Sequence, residues 1–260
     1  MSNWNLILDI FIEYWLIILM FLIVSVLYSS VGFGGGSSYL AILALTGMAF
    51  TQIRATALLC NIAVVSGNIF LYHNQKKLDW KKILPLVIIS IPLSFLGGYL
   101  KISEKIFFVL LGVTLLFAAI TMWISKKKMD SKINIKPQNS IRNTSFGGII
   151  GLVSGAVGIG GGIFLAPLLY LTNWDVPKKI AAATSVFILA NSIAGLFGQF
   201  SNPIFIIDWS LTSILLITVF LGGQIGSRIS NKRFSPYQLK KATAILIVFV
   251  SLRILIKYLL

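Results

Sequence analysis

The stretch VGFGGGSSYLAILALTG (31–47) returns as VGIGGGIFLAPLLYLTN (157–173), 126 residues further along the chain. Each copy lies inside a long apolar region and contains three consecutive glycines. Because a glycine in a helix costs roughly 1 kcal/mol relative to alanine, such a run predicts a break in an otherwise helical segment. Two matched breaks therefore predict a protein built from two related halves.

The composition predicts a membrane protein. Of the 260 residues, 57% are hydrophobic and 11% are charged, and the mean hydropathy is +0.91. These values exclude an ordinary water-soluble domain. No charged leader with a cleavage site is evident, so we expect the first apolar segment to be retained. Uncharged runs near the roughly 20 residues that cross a bilayer occupy 55–75, 83–100, 106–125, 180–207 and 209–227.

Three further segments complete the predicted fold. The uncharged runs 14–53 and 143–174 are too long for one crossing, because 40 helical residues reach about 60 Å and the hydrocarbon layer is about 30 Å thick. We expect each to form one helix, a break at the glycines and a shorter re-entrant arm. The stretch 242–260 is interpreted as a last span, with a surface helix as the alternative. The predicted fold class is an all-α polytopic membrane protein with about eight full transmembrane helices and two short arms.

The net charge of +15 marks cytoplasmic loops and not a nucleic-acid surface. The N-terminus, with Asp9 and Glu13, and the uncharged connection 199–207 are placed outside a multi-pass protein of the cell membrane. Fifteen of the 22 Lys and Arg residues fall in three connections: Lys76, Lys77, Lys81 and Lys82; Lys126, Lys127, Lys128, Lys132, Lys136 and Arg142; and Arg228, Lys232, Arg233, Lys240 and Lys241.

The two halves match beyond the glycines. We predict repeats 12–125 and 142–260 within one transmembrane domain (1–260), joined by a cytoplasmic loop at 126–141. The helices that follow the two glycine runs must then cross in opposite directions, which is an inverted-topology repeat. Lys257 does not fit this predicted topology, because it would lie on the outer side of the membrane. Further matches in the same order pair ATALLCNIAVVSG (55–67) with ATSVFILANSIAG (183–195), LDW (78–80) with IDW (207–209), and FLGG (95–98) with FLGG (220–223).

Side chains for catalysis or metal binding are scarce. All seven acids lie in predicted loops or at span ends, and the one histidine, His73, lies beside a lysine cluster. Metal binding and acid–base chemistry therefore lack their usual groups, so we predict no metal, no cofactor and no enzymatic activity. Cys60 is the single cysteine, which excludes an internal disulfide and predicts a buried apolar residue.

Membrane depth offers backbone groups and uncharged polar side chains instead. A half-helix that begins after a glycine run presents unpaired N–H groups and a positive dipole end, which suits a small anion without any buried cation. Close helix packing is the alternative for the glycines, and backbone bonding is the alternative for the hydroxyls. The predicted substrate-binding residues are Gly34, Gly35, Gly36, Ser37, Ser38, Thr56, Asn61, Gly160, Gly161, Gly162, Thr184, Ser185 and Asn191.

On these residues the chain resembles the TauE/SafE sulfite exporter family, also called the toluene sulfonate uptake permease group. The resemblance is carried by the paired GxGGG segments, FLAPLL around Pro167, AATS (182–185), the DW pairs and the lysine-rich central loop. It implies a transporter of small, often sulfur-containing anions such as sulfite, sulfoacetate or organosulfonates. Ala41 stands where the second repeat has Pro167, so the two arms need not be equally rigid or have the same role.

The mechanism that these observations favour is alternating access around a midplane site. A membrane-embedded enzyme or a non-transporting scaffold is the alternative. Proton relays use acidic or histidine side chains at membrane depth, so we expect the membrane potential, acting on the charge of the anion, to drive transport. The expected partners are the small anion and the lipid bilayer, without nucleic acid, and a homo-oligomer is left open.

Overall fold

All regular secondary structure is helical in the part of the chain that the computed structural model describes, which is residues 3–30, 32–124, 140–202, 205, 207–229 and 236–259. The predicted central hinge at 126–141 and its lysines lie almost entirely outside these residues, as do Lys232 and Arg233. The helices are α1 (Asn3–Ser30), α2 (Gly36–Leu43), α3 (Phe50–Asn74), α4 (Trp80–Val87), α5 (Ser90–Tyr99), α6 (Glu104–Ile124), α7 (Ser140–Val157), α8 (Gly162–Leu171), α9 (Pro177–Phe200), α10 (Trp209–Ile229) and α11 (Pro236–Leu259).

Both predicted helix breaks are confirmed. α1 ends at Ser30 and the short α2 begins at Gly36, while α7 ends at Val157 and the short α8 begins at Gly162. By length and apolar composition, five stretches of the described residues are candidate membrane spans: Phe11–Ser30, Phe50–Asn74, Trp80–Tyr99, Pro177–Phe200 and Trp209–Ile229.

One predicted helix is interrupted. The segment expected as a single span at 83–100 forms α4 and α5, which are separated by two turn residues, Ile88 and Ile89. Pro92 has no N–H group to donate to the carbonyl of Ile88, so the helical ladder lacks a bond at this point. The two pieces still form one apolar stretch from Trp80 to Tyr99.

Small residues hold two pairs of helices in close contact. A Cβ on Gly226 of α10 would overlap the carbonyl of Val26 in α1, and a Cβ on Gly155 of α7 would overlap the carbonyl of Ser94 in α5. Gly97 meets α7 in the same way at Leu152. These glycines serve helix packing, as small residues commonly do between membrane helices.

At the centre, α3 packs against α9 in antiparallel orientation. Near the start of α3, Leu58 packs with Leu196 near the end of α9. Near the end of α3, Tyr72 packs with Ala181 near the start of α9. α3 also packs against the short arm α2, and α9 packs against the short arm α8, so the α3–α9 interface lies beside both breaks.

Candidate substrate site

The two helix breaks have the same local geometry. Gly35 precedes α2 and Gly161 precedes α8, with φ angles of 90° and 78° in the left-handed region that only glycine adopts at low cost. The first backbone bonds at the start of α2 run from the N–H groups of Ser38 and Tyr39 to the carbonyl of Gly35. The N–H groups at the very start of each short helix therefore lie free of its internal ladder.

Both short helices begin at one buried cavity. Its volume is about 20 Å³, which suffices for one water molecule since a water requires roughly 10–15 Å³. Residues from the two breaks line it together, so the positive dipole ends of α2 and α8 meet at one point. The lining residues are Tyr28, Phe33, Gly34, Gly35, Gly36, Ser37, Asn61, Ile159, Gly162, Ile163, Ala166, Pro167 and Ile188.

Asn61 of α3 joins the two breaks. Its side chain is fully buried, and its Nδ2 donates to the carbonyl of Ile159 in the second break at 2.9 Å. From the first break, Gly34 and Gly36 approach the same amide so closely that a Cβ on either would overlap it. Its Oδ1 lacks a hydrogen-bond partner among the described residues. Asn61 thus brings a free acceptor to the centre of the site.

Further buried hydroxyls surround the second break. Thr184 and Ser192 are fully buried, and within the described part of the chain neither hydroxyl has a partner. The methyl group of Thr184 lies 3.2 Å from a Cβ placed on Gly162, and the hydroxyl of Ser192 lies 2.9 Å from one placed on Gly160. Thr184 belongs to the predicted set, and sequence reasoning missed Ser192.

Three predicted residues place their polar groups elsewhere. The Thr56 hydroxyl pairs with that of Thr212 in α10 at 3.0 Å. Ser185 donates to the carbonyl of Gly32 at 2.6 Å, which ties α9 to the end of α1. Asn191 donates to Ser90 at 3.0 Å and joins α9 to α5. These contacts stabilise helix packing, and none of these three residues lines the cavity.

Tyr28 separates the cavity from a wide apolar groove. Tyr28 borders both spaces, and its hydroxyl pairs with that of Ser38 at 2.9 Å. The groove has a volume of about 700 Å³ and runs from Glu13 to Ser38 between α1, α2 and α11. The predicted residue Ser38 therefore lies at the boundary of the cavity rather than in its lining.

Arg54 is a buried cation that sequence reasoning missed. This residue lies in the first turn and a half of α3 with 3% of its surface exposed. Its Nη2 donates to the carbonyls of Gly97, Gly98 and Gly155 at 3.5, 3.4 and 3.2 Å. The signal in the sequence was its position: it alone separates the uncharged runs 14–53 and 55–75.

Metal-binding side chains do not gather at the site. No group of three or more His, Cys, Asp or Glu side chains able to hold a metal occurs among the described residues. Cys60 is buried, as predicted, and His73 is exposed in the last turn of α3. The groups that border the cavity are backbone dipoles, one amide and hydroxyls, which bind through hydrogen bonds.

Fold and site together define a helical membrane protein with two helix breaks directed at one buried centre. The chain belongs to the TauE/SafE sulfite exporter family, whose sequence model matches residues 17–254. It is similar to a "Probable membrane transporter protein" of Sinorhizobium fredii, with 32% identity over 90% of this chain and 95% of the relative. Another such protein, from Methanocaldococcus jannaschii, is 27% identical over 86% of this chain and 89% of its own length. No solved structure matches the chain.

Proposed function

We propose that the protein is a secondary transporter of small, often sulfur-containing anions such as sulfite or short organosulfonates. The observation that carries the proposal is the meeting of the α2 and α8 N-termini at the cavity beside Asn61. Helix N-termini bind anions through free N–H groups and the positive end of the helix dipole. No Asp or Glu lines this cavity in the described structure, so no negative charge opposes an anion there.

The transport mechanism is alternating access between two inverted repeats. Antiparallel packing of α3 and α9, which hold matching places in the two halves, supports the inversion. The helix contacts are also reciprocal: α1 of the first half packs on α10 of the second, and α7 of the second packs on α5 of the first. On this plan α1, α3, α4 with α5, α6, α7, α9, α10 and α11 are the eight membrane crossings.

The cavity corresponds to a closed state of this cycle. Its volume of about 20 Å³ accommodates one water molecule, and an oxyanion with three or four oxygens is larger. Movement of the second break away from Asn61 would enlarge it, because the hydrogen bond from Asn61 of α3 to the carbonyl of Ile159 holds the two together beside the cavity. The Tyr28–Ser38 pair is the barrier towards the groove.

Transport into proteoliposomes tests this function. The purified protein should accumulate radiolabelled sulfite, and unlabelled thiosulfate or ethanesulfonate should compete if short sulfur oxyanions share the site. Asn61→Leu should lower the rate by about 10- to 100-fold, because it removes Nδ2, which bonds Ile159 through one N–H and can donate its second N–H to a charged ligand. Ser66→Ala is the matched control on the same helix, because Ser66 is exposed and bonds only its own helix at Ile62. Equal rates in protein-containing and protein-free vesicles would overturn the proposal.

The membrane potential is the proposed driving force. One charge that crosses 100 mV changes its energy by about 2.3 kcal/mol, so an anion needs no titratable relay to be driven. In the same vesicles, collapse of the potential should stop net transport, whereas collapse of a pH gradient should not. The opposite pattern would show that protons drive transport and that this part of the proposal is wrong.

A further inference from the structure

We propose that Arg54 forms an anion subsite at the second helix break and selects the substrate by its negative charge. This inference deepens the proposed function and rests on it. The ligand class is a small oxyanion, such as a sulfite, sulfonate or sulfate group, whose oxygens match the planar fork of a guanidinium.

The first argument is the missing counter-charge. An ionised side chain inside a membrane protein is costly and is retained for function, usually facing a partner or a cavity. Two charged residues are buried in the described structure, Arg54 and Asp175, and Asp175 pairs with Lys82 and Lys179. Arg54 has no carboxylate partner among the described residues. The arginine is therefore a cation without an anion.

The second argument is the looseness of its hydrogen bonds. The three carbonyls that accept from Nη2 lie at 3.2–3.5 Å, longer than the 2.7–2.9 Å typical of charge-assisted bonds. Nε has no partner in the described part of the chain. Gly97, Gly98 and Gly155 lie in the last turns of α5 and α7, where carbonyls are free of the helical ladder. These carbonyls orient the guanidinium through Nη2 and leave its Nε–H without an acceptor in the described structure.

The third argument is position. A Cβ on Gly158, the first glycine of the second break, would lie 3.0 Å from the Cα of Arg54, so the arginine adjoins the break. Asn61 follows seven residues later on the same face of α3, about 10 Å away at 1.5 Å per residue. The face that carries the cation therefore also carries the amide that borders the cavity. An anion bound at Arg54 would therefore lie about 10 Å along α3 from the cavity where the two helix N-termini meet.

The fourth argument is asymmetry. In the matched blocks of the repeat, Ala182 of α9 stands in the place of Arg54. At the first break, the corresponding neighbourhood contains Tyr72 and Ala181, which approach Gly32 and carry no charge. Of the two breaks, only the second therefore has a buried cation beside it in the described structure. A single anion subsite on one side of the cavity follows from this difference.

Ligand-induced thermal stabilisation of the full-length protein tests the subsite. Sulfite, sulfate, thiosulfate and ethanesulfonate are titrated against the wild type, Arg54→Gln, Arg54→Lys and Arg228→Gln. Arg228 is an exposed arginine at the end of α10, so its variant removes the same charge away from the site. Arg54→Gln should weaken anion binding by about 10- to 100-fold, the range for a lost charge-assisted contact. Arg228→Gln should bind like the wild type.

The outcomes distinguish failure of the Arg54 subsite from failure of the proposed transport function. Wild-type affinity in a folded Arg54→Gln protein would overturn the subsite and leave anion transport intact. If Arg54→Gln does not fold, Arg54→Lys decides, because lysine keeps the charge near the carbonyls but loses the fork; an unchanged affinity would contradict the proposal. If the wild type neither binds nor transports any of the four anions, the proposed function fails and the subsite fails with it.

Discussion

Gly36 and Gly47 are both glycines near the first break, but they are needed for different reasons. A Cβ on Gly36 would overlap Asn61 and lie 2.6 Å from the carbonyl of Ile159, although its own φ is not left-handed. Gly47 has φ 76° and open space around it. We expect Gly36→Ala to lower transport at least about tenfold, because it displaces the amide that bonds the second break.

The matched variant Gly47→Ala should lose about 1 kcal/mol of stability from left-handed strain and keep its transport rate. Sulfite uptake and thermal unfolding, measured on both variants, distinguish contact from strain. A similar loss of transport in the two would mean that the contact with Asn61 is not what Gly36 provides.

The helix breaks at the glycines were predictable from the sequence, whereas the directions of the polar side chains around them were not. Three consecutive glycines break a helix wherever they lie. The direction of a hydroxyl depends on which face of its helix meets the break, and α9 is buried on nearly every side, so it has no apolar stripe to set that face. Thr56 and Ser192 illustrate the consequence: the predicted hydroxyl bonds Thr212, and the unpredicted one borders Gly160.

At the scale of elements, close packing of α1 and α10 depends on individual glycines. A Cβ on Gly226 would overlap the carbonyl of Val26, whereas one on Gly223 would make ordinary contact with Val64 at 3.4 Å. Gly226→Ala should therefore lower the melting temperature, because rigid backbone must shift by a few tenths of an ångström or more. Gly223→Ala should change it little. Equal melting temperatures for the two variants would contradict the packing role of Gly226.

An ion pair joins the α8–α9 connection to α4. The Nζ of Lys82 lies 2.6 Å from Oδ2 of Asp175, and Lys179 lies 3.7 Å away. Burial opposes ionisation of Asp175, but the bonds from Lys82 and the Val176 N–H hold its pKa below the ordinary value. Because the pair is partly buried, Asp175→Asn should cost about 1–3 kcal/mol, between exposed and fully buried pairs.

The pH dependence of this pair has a defined sign. A carboxyl whose pKa is lowered by folding stabilises the protein fully above its unfolded pKa of about 3.9 and loses that effect as the pH falls through the folded pKa. Melting curves of wild type and Asp175→Asn should therefore differ at pH 7 and converge below about pH 4. Asp79→Asn is the control, because the Asp79 side chain makes no capping bond to α4. A difference that stays constant down to low pH would rule out the pair as its cause.

At the scale of the whole molecule, which helices pack against each other was less predictable from the sequence than the internal repeat that we propose. Repeated blocks such as FLGG at 95–98 and 220–223 indicate duplication from sequence alone. That α1 packs on α10 and α5 on α7 depends on which helix surfaces have carbonyls exposed opposite glycines, a three-dimensional match that no spacing along the chain encodes. Gly155 and Gly226 provide this match, because each lies directly against a backbone carbonyl of the neighbouring helix.

The proposed inverted repeat predicts which loops lie on the same side of the membrane. α3 ends beside the start of α9, so cysteines introduced at His73 and Lys178 should lie on the cytoplasmic, lysine-rich side. Ser103, before α6, and Ser201, after α9, should lie outside. Cys60 is fully buried and supplies little background, and Cys60→Ala removes it. An impermeant maleimide should label only the Ser103→Cys and Ser201→Cys proteins in intact cells, and all four after permeabilisation. Labelling of one residue from each pair in intact cells would contradict the inverted repeat.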